Sequence, residues 1–360
     1  MGIAAAVAAS ALILSSPSEP LPLPLPRPTV PESEGRPVEV LATGLDEPRG
    51  IATVEDGRIF VAEKDGRILV IQNSTLLERP LATLRTADVF AGGLLGITTH
   101  PDFAENHLLY VYFTYEEDGS FWNKIMRITE SESRLVSAKT ILDDIPGSAF
   151  SNGGALEFGP DGKLYAGTGS VSDSLHLSQD MESLAGKILR VNDDGTIPDD
   201  NPFPDSPVYS MGWRDPQGIT WNSEGVMMAV DLGPTKNDEI NLVEPASNFG
   251  WPDQECRNNP SFADSAMCYD PAIEPGGIVY YTGDRLPLED KIVLTSLRSV
   301  SLFQLDIEEG LPSQKSLLSG LGRLRDVHQD NDGNLYVTTS NTDGKGFPGP
   351  DDDILVKIVR

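Results

Sequence analysis

The feature that most constrains this chain is a phrase it repeats six times. Each copy is a turn led by Gly, Pro or Arg into an apolar pair, followed some ten residues later by an apolar or aromatic run. Pro48-Arg49-Gly50-Ile51 precedes Arg58-Ile59-Phe60-Val61, and Gly96-Ile97 precedes Leu109-Tyr110-Val111. Gly154-Ala155-Leu156 precedes Lys163-Leu164-Tyr165, and Pro216-Gln217-Gly218-Ile219 precedes Val226-Met227-Met228. Gly276-Gly277-Ile278 precedes Lys291-Ile292-Val293, and Leu324-Arg325-Asp326-Val327 precedes Asn334-Leu335-Tyr336-Val337. The copies follow one another at about 43 to 66 residues, the length of one four-stranded sheet. One copy cannot bury both of its faces, but six stacked radially can. The pattern predicts an all-β fold, a six-bladed β-propeller with four-stranded antiparallel blades, over residues 37–360. Its chemistry should sit on loops from several blades around a central channel.

The 34 Gly and 28 Pro suit such a turn-rich fold. Asp180 to Leu189 is the best candidate for a short helix. The 55 acidic and 27 basic residues give a formal net charge of −28. Such a surface repels nucleic acid and anionic lipid, so neither is an expected partner, and no membrane insertion of the propeller is expected. It reads as solvation in a salty or extracellular medium, or as carboxylates for bound divalent cations.

Cys256 and Cys268 lie twelve positions apart and read as a disulfide or as two buried thiols; an exported chain favours the bridge. Two thiolates with no His nearby do not make a zinc site. Residues 1–16 carry a signal-like apolar segment, Ile3 to Leu14, too short to span a bilayer and lacking a basic leader. Residues 17–36 form a Pro-rich linker. An extracellular or periplasm-like location, with the N-terminal segment as a possible tether, is the expectation. Asn73-Ser74-Thr75 is a glycosylation sequon.

From the third copy onward a series of short motifs appears in order. These are Gly159-Pro160-Asp161-Gly162-Lys163-Leu164-Tyr165, Leu184-Ala185-Gly186-Lys187-Ile188-Leu189-Arg190, Arg214-Asp215-Pro216-Gln217-Gly218, Gly233-Pro234, Asp238-Glu239-Ile240-Asn241 and Asn248-Phe249-Gly250-Trp251-Pro252. With Gly93-Leu94-Leu95-Gly96, His100-Pro101-Asp102-Phe103 and Arg323-Leu324-Arg325-Asp326-Val327, the chain resembles the soluble PQQ-dependent glucose/sorbosone (aldose) dehydrogenase family from about residue 40 to its end. The resemblance implies pyrroloquinoline quinone (PQQ) held with calcium over the channel, an aldose as substrate and a separate electron acceptor. It places Arg214, Arg323 and Arg325 at cofactor-binding arginines, Arg298 at a cofactor-binding Lys, and Asp215 where the family has Asn beside an arginine. Planar guanidinium forks suit a tricarboxylate. Calcium falls to the backbone of Gly233 and Pro234, and a second calcium region to Asp238 and Glu239.

The catalytic positions differ from the family pattern. Ser151 stands where the resemblance places the base histidine, and Ser170 where it places the orienting aspartate. A hydroxyl has no useful pKa near neutrality. His176, in the loop between Gly169 and Ser183, is the substitute base to test, with Asp173 or Asp180 as partner. Trp213, Ala91 and Leu232 replace further polar contacts. His100, His107 and His328 read as turn, surface or strand residues, Asp351-Asp352-Asp353 as a solvated edge or the charged guard of an edge strand, and Asp330-Asn331-Asp332-Gly333 as a hairpin turn rather than a calcium loop. Two functional classes remain: a sugar dehydrogenase-like oxidoreductase with a replaced base, and a non-catalytic propeller binding carbohydrate, metal or protein at the channel mouth. A propeller lactonase would need Glu157, Asn152 and Asp215 around a channel calcium, a set too small to favour it.

Overall fold

The computed structural model describes residues 36–87, 89–257, 259–307 and 313–359. The readings of residues 1–16 and most of 17–36 fall outside them. Six antiparallel sheets make up the fold. Their innermost strands are Pro48–Thr53, Leu94–Thr99, Gly153–Phe158, Pro216–Trp221, Pro275–Tyr281 and Leu324–Gln329, one from each copy of the repeated phrase. Each pairs outward with the apolar run that follows it in sequence, as Pro48–Thr53 does with Ile59–Glu63. Neighbouring inner strands touch around the ring, and the sixth touches the first. The chain is a six-bladed β-propeller. The last blade is closed by Val38–Ala42, which pairs with Leu355–Ile358 and so joins the two ends of the described chain.

Apolar side chains sit between blades, as alternation on both faces of a strand requires. Phe60, Ile68 and Val70 of the first blade pack with Leu109, Val111 and Ile128 of the second. The sixth blade meets the first through Tyr336 and Leu355 against Ile51, Val61 and Leu69. The recurring glycine of the phrase has a packing cause. A Cβ on Gly96 would run into the carbonyl oxygen of Gly154 on the next inner strand, and one on Gly276 into that of Arg325. At these two positions only hydrogen fits.

Helix is confined, among the described residues, to Phe103–Asn106 and a 3₁₀ turn at Leu175–Gln179. The expected helix at Asp180–Leu189 is not formed. Its second half enters the strand Lys187–Val191, where tertiary pairing overrides local propensity. The Asp330 turn is the hairpin expected, with the Asp330 carboxylate accepting the N–H groups of Asp332 and Asn334 and the Tyr336 hydroxyl. The Asp351–Asp353 run is solvated only at its start, where Asp351 is exposed, and it guards no edge strand. Asp353 is buried and accepts from Thr339 Oγ1 at 2.9 Å and Asn341 N, and the strand after it is paired on both sides. Cys256 and Cys268 form a disulfide. No helix among the described residues is long and apolar enough to cross a membrane.

Candidate functional site

All six inner strands slip register close to their first residue. The slips fall between Pro48 and Gly50, Leu94 and Gly96, Gly153 and Leu156, Pro216 and Gly218, Pro275 and Ile278, and Leu324 and Asp326. A slip of this kind takes a residue out of the ladder and re-aims it. Arg49, Leu95, Gly154, Gln217, Gly276 and Arg325 lie at the six slips, and all six line one cavity of about 300 Å³ at the mouth of the ring. That volume lies at the lower end of small-molecule sites, roughly 300–1,000 Å³. Arg49, Gln217 and Asp326 also line a narrower axial cavity of about 60 Å³, continued by Glu157 and His328.

The mouth is cationic inside an acidic chain. Arg49, Lys64, Arg214, Arg323, Arg325 and Lys345 line it, against Asp215, Glu274, Asp326 and Asp343. Their pairing is uneven. Arg323 is engaged through all three nitrogens, donating to Asp343 at 2.9 Å, Glu274 at 3.0 Å and the Leu297 carbonyl. Burial works to raise the pKa of Glu274, but Lys345, Arg323 and Arg298 outweigh it and hold it below its ordinary value. Arg214 donates to the carbonyls of Leu232 and Gly233 at 2.7 and 3.0 Å. Arg325 is the exception. Its side chain is 11 % exposed, its nearest carboxylate is Asp343 at 3.8 Å, and its Nε is buried with no hydrogen-bond partner. Burial, with the Arg49 guanidinium next in weight, pulls its pKa down to about 9. The Nε of Arg49 is likewise buried and unpartnered. Buried guanidinium donors without acceptors are rare and costly.

The mouth thus brings together Arg214, Asp215, Arg323, Arg325, Gly233 and Pro234 of the positions singled out in the sequence. Arg298 does not line it; its side chain is 43 % exposed and approaches Glu274 at 3.8 Å. None of the three candidate catalytic side chains lines it either. Ser151 is buried, and its backbone N–H donates to Ser148 Oγ. Ser170 is buried beneath Arg214, to whose carbonyl it donates at 2.7 Å, and its own hydroxyl is unpartnered. His176 is exposed in the 3₁₀ turn, away from the lining. Trp213 is buried, donating to Ser210 and packing on Phe249. His328 faces the neighbouring inner strand, 3.0 Å from Thr53 Oγ1, and burial pulls its pKa down to about 4. Asn152 is committed to the loop beneath the mouth, donating to the Ala91 and Ser148 carbonyls.

The proposed calcium ligands are engaged elsewhere. Gly233 O accepts from Arg214, and Asp238 accepts the N–H groups of Gly233, Ile273 and Glu274. Glu239 accepts from Cys256 N and Asn241. Among the described residues no three His, Cys, Asp or Glu side chains gather as metal ligands. Beside this cluster Asp231 is buried, accepting the N–H groups of Arg214 and Asp215, and burial with Glu239 pushes its pKa up to about 8. Sequence reasoning missed Arg49, Lys64, Glu274, Asp343 and Lys345. A signal for Arg49 was present, because it fills the same slot of the repeat as Arg325.

A family model described as glucose/sorbosone dehydrogenase matches residues 45–356. The chain is 28 % identical to the aldose sugar dehydrogenase of Escherichia coli, over 86 % of this chain and 91 % of that one. Among solved structures, a putative oxidoreductase (glucose dehydrogenase) from Thermus thermophilus is 36 % identical with a TM-score of 0.82, over 90 % of this chain and 99 % of that one. The PQQ-bound aldose sugar dehydrogenase of Streptomyces coelicolor is 35 % identical with a TM-score of 0.81, over 89 % and 97 %.

Proposed function

The chain belongs to the glucose/sorbosone dehydrogenase family, and from that premise we propose that its mouth binds PQQ and that the protein oxidises an aldose there. The observation that carries the reading is Arg325, a buried guanidinium whose Nε has no acceptor and which shares a cavity with Arg49, Arg214 and Arg323. PQQ bears three carboxylates, and planar donor forks with unused N–H groups are what such an anion needs. Arg325 and Arg49 hold the carboxylates most directly, because each keeps a buried Nε without an acceptor, although Arg49 also donates to Glu47 Oε2 at 2.9 Å. Arg214 and Arg323 border the cavity already hydrogen-bonded and fix its shape. When bound, PQQ supplies a two-electron acceptor for hydride from the sugar carbon.

The chain's own part in that step is to take the sugar hydroxyl proton. Among the described residues no imidazole lines the mouth. The Asp326 carboxyl does, anchored by the Ile51 N–H at 2.9 Å, and burial pushes its pKa up to about 7. A lining carboxylate close to neutrality in affinity for protons is the group suited to accept one. Calcium fits the observed donors less well, since the Gly233 carbonyl and both carboxylates are already engaged. The Cys256–Cys268 bridge supports the expectation of an exported protein, because disulfides persist in oxidising compartments.

A second reading, a binding propeller without turnover, is favoured by one observation: Ser151, Ser170 and His176 all lie off the lining. One experiment separates the two. Purified protein is titrated with PQQ, with and without calcium, while quinone absorbance and dye reduction with aldoses are followed. Saturable binding with dye reduction is the expected result. Binding without reduction leaves the second reading, and no binding removes the cofactor.

A further inference from the structure

On the rim of the mouth two phenyl rings stand in water. Phe90 and Phe150 are each 59 % exposed, both line the mouth cavity, and their centroids lie 5.7 Å apart at 51°. They come from loops of adjacent blades, and the loops are stitched together. Ala91 N donates to the Ala149 carbonyl at 2.9 Å, and Asn152 Nδ2 donates to the Ala91 carbonyl at 3.1 Å. The same buried amide donates to Ser148 O and accepts from Ser148 N and Asn123 Nδ2. Several hydrogen bonds therefore hold the backbone on either side of two rings left exposed. Folding alone gives no reason to display them, since exposed phenyl groups gain no burial.

We infer that the Phe90–Phe150 pair is a stacking platform for a pyranose ring, a subsite that recognises the apolar C–H face of the sugar. The inference rests on the dehydrogenase reading of the same mouth. A sugar is the occupant that matches both halves of the surface. One face of a pyranose is C–H and suits an aromatic ring, while its edge of hydroxyls needs donors and acceptors. Those stand beside the rings. Lys345 Nζ lies 5.6 Å from the Phe90 centroid and 3.8 Å from Glu274 Oε1, and Lys64 and Gln217 share the lining. A wholly apolar ligand would strand these charges. Two rings also fall far short of the ~1,000 Å² of a stable protein interface. Because the loops are already fixed, little ordering is needed on binding.

The test is saturation-transfer NMR with methyl β-D-glucopyranoside and with maltose, on the protein without cofactor and after PQQ addition, with PQQ binding read separately by absorbance. The wild type should pass saturation to the ring C–H protons. Phe90→Ala and Phe150→Ala should each lose it at least fivefold with melting temperatures unchanged, and Phe150→Tyr should retain it. Should an alanine variant fail to fold, Phe→Leu at the same position, apolar but not flat, must show the same loss. Undiminished transfer in these variants, or none in the wild type, overturns the platform whatever PQQ does. Phenyl-dependent transfer with no PQQ binding keeps the platform and removes the cofactor reading instead.

Discussion

Arg325 shows a conflict between folding and binding held in one side chain. A buried cation with its nearest carboxylate at 3.8 Å and an unpartnered Nε destabilises the empty protein. Arg325→Met, of similar volume, should therefore stabilise the ligand-free protein by about 1–4 kcal/mol, the range for replacing buried charge with apolar packing. The same change should weaken PQQ binding by roughly 30-fold or more, as when one partner of a buried charge pair is removed, ~2–5 kcal/mol. Urea denaturation and the absorbance titration read the two effects. A variant that is less stable and binds PQQ normally would show that the guanidinium serves the fold. Asp238 is the opposite case, since its three backbone donors make it a structural carboxylate.

At the level of strands, the glycine found in five of the six repeats and the register slip beside it are one device. The glycine lets inner strands meet at the axis, and the slip turns the neighbouring residue to the mouth. Gly96→Ala would push a methyl group into the Gly154 carbonyl, so it should cost about 1–3 kcal/mol, as overpacking does. Urea midpoints would measure it, and an unchanged midpoint would show that the ring relaxes freely. This device also explains what the sequence could show. Six apolar runs and their spacing were legible because burial between blades imposes alternation. Arg214, Arg323 and Arg325 were legible through the family motifs that contain them. Arg49 was overlooked because its motif, Pro48-Arg49-Gly50-Ile51, was read only as part of the repeat, although it fills the slot that Arg325 fills in the sixth copy. Asp353 and Asp180–Leu189 were misread for a related reason. Their environment is set by strands distant in sequence, which no local pattern contains.

The molecule as a whole carries several carboxyls whose pKa is raised by burial. Asp231 is pushed up to about 8, and Glu63, Glu157 and Asp326 to about 7. In the unfolded chain these groups lose their protons near pH 4, whereas the folded protein keeps them. Through these four groups the native state binds more protons between about pH 4 and pH 8, so their contribution to stability falls as pH rises through that window, opposed below about pH 6.5 by the single buried His328. Melting temperature against pH should show the decline. Glu157→Gln should flatten it, since Glu157 accepts from Thr98 through one oxygen that an amide can keep. The general repulsion of a chain at −28 acts in the same direction, but salt screens it and leaves the buried part. A melting temperature that climbs over this range would contradict the assignment.

The cationic mouth within so acidic a chain has a kinetic corollary. A trianion drifting toward the ring first climbs an electrostatic hill, then drops into a well only a few ångströms wide. Brine lowers the hill while scarcely touching the well, so a salty medium should hasten loading far more than it loosens what is already seated.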